Sequence, residues 1–147
     1  MKKVIAVRHG RYSGSSLTSR GVADVEVLAK QVGRVPEDET VVVVHSTLTR
    51  AVETAEIIAT QLGVSLIACR EMQSDEYYDA PRIVESIQEL VDLGKFDVLV
   101  TVGHYDAPAG IIHSYKESNG FGGFPCQVIE KGRALVLDLS SGSVEEL

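Results

Sequence analysis

The chain has 147 residues, of which 44% are hydrophobic and 24% charged, and its formal net charge is −7. This size and balance are typical of a single globular domain covering residues 1–147, and they exclude a disordered tail. The acidic charge argues against nucleic acid as a partner, because proteins bind phosphate backbones through basic surfaces, whereas a few local arginines can still bind a small phosphorylated substrate.

The first apolar run covers only residues 4–7 and stops at Arg8-His9. It is too short for a signal peptide or a membrane-spanning segment, so we expect no association with a membrane. Cys69 and Cys126 lie in apolar segments, and two cysteines are too few for a disulfide framework. We therefore expect buried thiols and a cytoplasmic protein, while the sequence does not indicate an oligomeric state.

In chain order, apolar strand segments alternate with helical stripes of apolar residues. The predicted strands cover residues 3–7, 40–44, 65–69, 96–102, 127–130 and 134–139, and the predicted helices cover 22–32, 48–62, 81–94 and 108–116. This order predicts an α/β fold, a three-layer sandwich of a mostly parallel central sheet with helices on both faces and an antiparallel edge hairpin. The last two strands would form that hairpin around a Lys131-Gly132 turn. The acidic end at Glu145-Glu146 is interpreted as a solvated tail.

Basic side chains follow three of the predicted parallel strands at the points where the strands end. Arg8 and His9 follow the first strand, His45 follows the second, Arg50 lies in the opening turn of the next helix, and His104 follows the long strand 96–102. In such a sheet the carboxyl ends of the strands meet at one edge, where ligands bind. Helix N-termini at the same edge also favour anions. We therefore expect these side chains to converge on an anionic ligand.

The residue types at this edge predict phosphoryl chemistry. A guanidinium group binds phosphate oxygens in a forked geometry that lysine cannot copy. A neutral imidazole can accept a phosphoryl group covalently, and a second histidine, as an imidazolium, can stabilise charge on the phosphoryl oxygens. The histidines are scattered and no Cys-x-x-Cys occurs, so we expect neither a metal nor another cofactor.

Four blocks of the sequence resemble motifs of the histidine phosphatase superfamily, which includes the phosphoglycerate mutases. The blocks are Arg8-His9-Gly10, Leu17-Thr18 with Gly21, Ser46-Thr47-Leu48-Thr49-Arg50-Ala51 with Thr54-Ala55, and Val102-Gly103-His104. Arg-His-Gly alone would be a weak signal, but all four blocks occur in the family's order. The resemblance implies that His9 is the phosphorylated nucleophile, that Arg8, Arg50 and His104 bind and polarise the phosphoryl group, and that no metal takes part.

The proton donor is less clearly indicated. The family implies a glutamate just after the strand that follows the second helix, and Glu71 matches that position. Asp75, Glu76 and Asp106 are alternatives, and some compact family members work without a well-defined acid. His45 is interpreted as a hydrogen-bonded wall residue and not as a catalyst.

The chain departs from the mutase-like members of the family in two respects. Residues 11–16 lack the asparagine that often follows Arg-His-Gly in those members, and the long insertions that cover a mutase site are absent. The sequence therefore predicts a phosphatase that hydrolyses a phosphomonoester or a phosphohistidine through a phosphohistidine intermediate. Its substrate would be a phosphorylated small molecule or, as in compact phosphohistidine phosphatases, a phosphoprotein. A mutase and a non-catalytic phosphate-binding module are the alternatives.

Overall fold

The structure is a computed structural model that describes residues 1–34 and 38–147. Its strands are β1 Lys3–Arg8, β2 Tyr12–Ser13, β3 Ser16–Leu17, β4 Val41–His45, β5 Leu66–Ala68, β6 Val98–Gly103, β7 Ala134–Asp138 and β8 Val144–Glu146. Its helices are α1 Ser19–Val32, α2 Thr49–Leu62, α3 Ala80–Leu90 and α4 Ala107–Ser118, and 3₁₀ turns cover Arg70–Gln73, Tyr77–Asp79 and Leu93–Lys95.

Six of the strands form one sheet in the order β5-β4-β6-β1-β7-β8, while β2 and β3 form a separate ribbon. The strands β5, β4, β6 and β1 are parallel, β7 is antiparallel to β1, and β8 is antiparallel to β7. This arrangement confirms the predicted mostly parallel sheet with an antiparallel hairpin at its edge.

The sheet has a hydrophobic layer on each face, because successive side chains of a strand point to opposite sides. In β1, Val4 and Ala6 pack in the layer that contains α3 and α4, whereas Ile5 and Val7 pack in the layer that contains α1 and α2. All six residues of β6 are buried. A strand covered on both faces favours an uninterrupted apolar run, which is why these segments could be identified from the sequence.

The helix ends follow local rules that the sequence displays. Thr18 caps α1 by accepting a hydrogen bond from the Gly21 N–H at 3.0 Å. Gly63 ends α2 with a φ of 67°, in the left-handed region that glycine adopts without steric cost. Pro81 lies in the first turn of α3, where its missing N–H is not needed.

The edge hairpin is formed by strands other than the predicted pair. Residues 127–130 do not form a strand, and β7 pairs instead with β8, which contains Glu145 and Glu146 with exposed side chains. The reason is a competing set of contacts with the end of β1: the Ile129 carbonyl oxygen accepts from Arg8 Nη1 at 2.9 Å. The Gly132 N–H donates to the Arg8 and His9 carbonyl oxygens at 3.1 and 2.9 Å. The segment therefore covers the end of β1 and does not extend the sheet.

Both cysteines are free thiols, but their environments differ. Cys69 is buried, as predicted, whereas Cys126 is exposed and the prediction of a buried thiol there is wrong. Cys126 precedes the segment that was expected to be a strand, and without that strand the thiol is not covered by the core. Within residues 1–34 and 38–147, no helix has the length and apolar character needed to cross a membrane.

Candidate active site

His9 and His104 meet at the carboxyl edge of the sheet because their strands are neighbours in register. Arg8 of β1 pairs with Gly103 of β6, so the residues that follow these two strands, His9 and His104, lie at the same level. The connection after β1 leads to α1 on one face of the sheet, and the connection after β6 leads to α4 on the other face. Such a divergence between adjacent parallel strands opens a crevice at their carboxyl ends. The two imidazole rings lie with centroids 5.1 Å apart, and both side chains are almost fully buried.

The backbone around His9 fixes the tautomer of its ring. His9 Nδ1 lies 2.8 Å from the Gly10 carbonyl oxygen, which can only accept, so Nδ1 carries the proton and the neutral ring presents its lone pair at Nε2. The Gly10 N–H in turn donates to Thr54 Oγ1 at 3.0 Å. A Cβ atom at Gly10 would lie 2.7 Å from Val25 Cγ2, so glycine is needed for this close packing. The ring of His9 is thus held with Nε2 as the unprotonated nitrogen, which can act as a nucleophile.

Two guanidinium groups reach this crevice from different elements. Arg50 lies in the first turn of α2, with Cζ 4.5 Å from the centre of the Tyr12 ring, and its carbonyl oxygen accepts from Thr54 Oγ1 at 2.8 Å. Arg8 ends β1, with Nη1 bonded to the Ile129 carbonyl oxygen. The Nε atoms of both arginines are buried, and among the described residues neither has a hydrogen-bond partner. Buried donors of this kind are usually paired with a protein group, an ordered water molecule or an ion.

His104 has one nitrogen satisfied and one that is not. Its Nε2 lies 2.8 Å from Ser46 Oγ, a fully buried hydroxyl. Its Nδ1 is buried and without a partner in the part of the chain that the structure describes. Together with the two arginine Nε atoms, this gives three unsatisfied nitrogens on side chains that surround His9.

Burial controls the charge of both histidines. It lowers the pKa of His9 to about 4, with the positive charges of Arg50, Arg8 and Lys131 acting in the same direction against the hydrogen bond to Gly10. Burial and the proximity of His9 and of both arginines lower the pKa of His104 to about 4. His9 is therefore neutral near pH 7, as a nucleophile requires. Without a bound anion His104 is neutral near pH 7 as well, because the same burial and positive charges disfavour its proton. The expected imidazolium belongs to the state with a phosphoryl group bound and stays a prediction.

Glu71 lies at the same edge of the sheet, but in the described part of the chain it makes neither a hydrogen bond nor an ion pair with His9 or His104. It belongs to the 3₁₀ turn Arg70–Gln73 after β5, is exposed, and lies with Oε2 3.8 Å from Cys69 Sγ. The Cys69 N–H donates to the His45 carbonyl oxygen at 2.8 Å, which anchors this turn to the end of β4.

The other carboxylates considered as proton donors differ in their hydrogen bonds and in their exposure. Asp106 accepts hydrogen bonds from the Tyr77 N–H at 2.7 Å and from Cys126 Sγ at 3.4 Å, so each of its oxygens already accepts one hydrogen bond. Asp75 and Glu76 are exposed. His45 is buried and lies with Nδ1 2.8 Å from the Ser46 carbonyl oxygen, which agrees with its interpretation as a wall residue.

Two residues near His9 were not identified from the sequence. The Tyr12 ring lies edge-on to His9 with centroids 5.2 Å apart, and Lys131 Nζ lies 5.2 Å from the centre of the same tyrosine ring. Tyr12 could have been found from its short distance along the chain from His9. No local signal identifies Lys131, because its proximity depends on contacts between distant segments.

Comparison with known families agrees with this geometry. Residues 4–79, just over half of the chain, match the family model of the histidine phosphatase superfamily (branch 1). The chain belongs to the histidine phosphatase superfamily. The match includes His9, both arginines of the site and Glu71, and it ends before His104. No curated protein sequence matches the chain.

Solved structures of the superfamily fold resemble the chain over nearly its full length. A protein described as a phosphohistidine phosphatase, SixA, from Agrobacterium tumefaciens is 17% identical with a TM-score of 0.66, and the alignment covers 99% of this chain and 95% of that one. A protein histidine phosphatase SixA complexed with tungstate is 20% identical with a TM-score of 0.67, covering 99% and 94%. A mycobacterial glucosyl-3-phosphoglycerate phosphatase complexed with VO3 is 14% identical with a TM-score of 0.68, covering 99% and 97%. The chain is thus a compact member of the histidine phosphatase superfamily.

Proposed function

We propose that the protein is a metal-independent phosphatase that hydrolyses a phosphomonoester or a phosphohistidine through a phosphohistidine intermediate at His9. The observation that supports this most strongly is the convergence of Arg8, Arg50 and His104 on the neutral imidazole of His9, with the two imidazole centroids 5.1 Å apart. A phosphoryl group provides several acceptor oxygens and negative charge, so it would satisfy these donors and offset the local positive charge.

In the first step, the lone pair of His9 Nε2 attacks phosphorus and the bond between phosphorus and the leaving group breaks. The ring becomes positively charged as it forms the N–P bond, and the hydrogen bond from Nδ1 to the Gly10 carbonyl oxygen stabilises that charge. Arg8 and Arg50 bind the phosphoryl oxygens. The bound dianion raises the proton affinity of His104, so that its Nδ1 can donate to a phosphoryl oxygen in the transition state.

In the second step, water attacks the phosphorus of phospho-His9, inorganic phosphate leaves and the neutral imidazole is restored. The same donors stabilise this transition state, because the transferred group occupies the same position. Dividing hydrolysis into two displacements gives each step a lower barrier than direct attack by water. Because no step requires a Lewis acid, the side chains of the site are sufficient for the reaction.

Glu71 is the proposed proton donor to the leaving group and acceptor of the proton from water. It lies on the turn anchored to the end of β4, and the rival Asp106 is occupied by two hydrogen bonds. Glu71→Gln should lower kcat/KM, which reports the phosphorylation of His9, by roughly a hundredfold for an alkyl phosphate and much less for 4-nitrophenyl phosphate, because a good leaving group needs no proton. Equal losses on both substrates would refute this role, and Glu76→Gln is the matched control.

The substrate class is inferred from the similar folds. The similar folds include a protein described as a phosphohistidine phosphatase and a phosphatase of a sugar phosphate, so the fold accommodates protein and small-molecule substrates. We propose a cytoplasmic role for this chain on a phosphorylated small molecule or a phosphoprotein. A panel of phosphorylated metabolites and phosphohistidine-bearing proteins would identify which of them is hydrolysed.

The first test is release of inorganic phosphate from 4-nitrophenyl phosphate. The wild type should turn the substrate over and His9→Ala should lose nearly all activity while remaining folded, because the covalent route is lost. His113→Ala is the matched control, since His113 lies on α4 and bonds to Phe124 outside the site. No turnover by the wild type would indicate a phosphate-binding module, and isomerisation of 3-phosphoglycerate would indicate a mutase.

A further inference from the structure

Lys131 is held beside the catalytic strand by backbone hydrogen bonds. The adjacent Gly132 N–H donates to the carbonyl oxygens of both Arg8 and His9, and the Arg8 N–H donates to the Arg133 carbonyl oxygen at 3.0 Å. The turn that carries Lys131 is therefore fixed to the residues that form the proposed phosphoryl pocket. A lysine on such an anchored turn has a defined position relative to His9.

The side chain of Lys131 lies beside the same aromatic ring as His9. Its Nζ and the imidazole of His9 each lie 5.2 Å from the centre of the Tyr12 ring. The lysine is exposed, and among the described residues no carboxylate oxygen lies within 4.0 Å of Nζ. Its charge is therefore close enough to contribute to the lowered pKa of His9, and it is not neutralised by an ion pair with a described residue.

The surface around Lys131 has the opposite charge to the molecule as a whole. A depression of about 430 Å³ is lined by Arg8, Arg11, Glu130 and Lys131, three cations and one carboxylate, on a chain whose net charge is −7. Arg11 Nε already pairs with Asp24 Oδ2 at 3.6 Å, and Arg8 is assigned to the phosphoryl group. Lys131 is thus the cation of this depression that remains to bind a ligand.

We propose that Lys131 forms a second anion subsite, which binds a carboxylate or a second phosphate group carried by the leaving group of a small substrate. The inference rests on the proposed phosphatase function and adds the chemical class of the substrate. An anion at this position lies beside the Tyr12 ring while the reacting phosphoryl group lies against His9. The subsite therefore favours phosphorylated acids over phosphomonoesters of neutral alcohols.

The test compares substrates that differ in one charge. The kcat/KM for 3-carboxyphenyl phosphate is divided by that for its uncharged amide, 3-carbamoylphenyl phosphate, in the wild type, Lys131→Gln and Lys131→Arg. The ratio should fall roughly threefold to tenfold in Lys131→Gln and recover in Lys131→Arg, because one partly exposed ion pair is removed and restored. Raising the salt concentration should reduce the wild-type ratio. Lys95→Gln, on the 3₁₀ turn before β6, is the matched control and should leave the ratio unchanged.

Calorimetric binding of the two corresponding phosphonates measures the same preference without turnover. A ratio that is unchanged in Lys131→Gln, by kinetics and by calorimetry, would overturn the subsite while leaving the phosphatase function in place. A calorimetric preference that depends on Lys131, in a protein that hydrolyses neither phosphate, would support the subsite and refute the proposed function.

Discussion

His104 and Ser46 lie on neighbouring strand ends and meet through a contact of 2.8 Å between His104 Nε2 and Ser46 Oγ. Both residues are buried, and 58 positions of sequence separate them. The contact fixes the rotation of the imidazole ring and leaves Nδ1 as its unsatisfied atom. Ser46 therefore positions the histidine that is proposed to bind the phosphoryl oxygens.

Removing this hydroxyl should impair the chemical step more than substrate binding. Ser46→Ala should lower kcat by roughly fivefold to thirtyfold, as expected for the loss of one buried hydrogen bond that orients a catalytic group. KM should change little, because Arg8 and Arg50 still bind the ground state. Ser15→Ala, at an exposed position between β2 and β3, serves as the control. A rise in KM without a fall in kcat would contradict the positioning role of Ser46.

The geometry of Arg50 can be tested without changing its charge. Arg50→Lys keeps the positive charge but loses the planar pair of donors that bind two phosphoryl oxygens. A hydrogen bond to a charged group contributes about 1.5–3 kcal/mol, and about 1.36 kcal/mol corresponds to a factor of ten in rate, so kcat/KM should fall roughly tenfold to a hundredfold. Thermal stability should barely change. Arg20→Lys, at the exposed start of α1, is the control, and wild-type kcat/KM in Arg50→Lys would exclude Arg50 from the site.

The low histidine pKa values predict a specific dependence of stability on pH. His9 and His104 have pKa values of about 4 in the folded protein, below the ordinary value of 6.5. The unfolded chain therefore binds more protons between these values, so the free energy of unfolding falls as the pH falls through this window and is independent of these groups above it. Urea unfolding between about pH 7 and about pH 4.5 measures this slope. The double variant His9→Gln/His104→Gln should show a shallower slope, and an equal slope would contradict the low pKa values.

Metal independence is a prediction that chelation tests directly. Among residues 1–34 and 38–147, no three His, Cys, Asp or Glu side chains come together in a group that could hold a metal ion. Activity should therefore survive exhaustive dialysis against EDTA. A loss of activity that magnesium or zinc restores would contradict the proposed mechanism and indicate a metal-assisted phosphatase.

The parts of the fold that the sequence predicts are those set by local or strictly periodic rules. The apolar runs around Val4 and Val42 identify strands covered on both faces, and Thr18 and Gly63 act as caps through contacts within a few residues. The proximity of His9 and His104 can be predicted because both residues follow parallel strands, whose carboxyl ends lie at the same edge of the sheet. The sequence alone therefore predicts these features.

The features that the sequence does not predict depend on contacts between distant segments. β8 is a three-residue strand with one apolar residue, Val144, too short for a periodic pattern. The segment before Gly132 has strand-like composition but covers the end of β1 because backbone bonds to Arg8 compete with pairing. Lys131 approaches the site for the same reason. The charge state of His104 also depends on burial and on nearby arginines, which a strand assignment alone does not reveal.

The most direct test of the proposed mechanism is to trap the intermediate. The wild type is mixed with a phosphorylated substrate, quenched rapidly in alkali and digested, and the peptide that carries phosphate is identified by mass spectrometry. We expect acid-labile, alkali-stable phosphate on His9 and none in His9→Ala, because the neutral Nε2 forms the N–P bond. Phosphate found on a serine, or full activity in His9→Ala, would contradict the proposed mechanism.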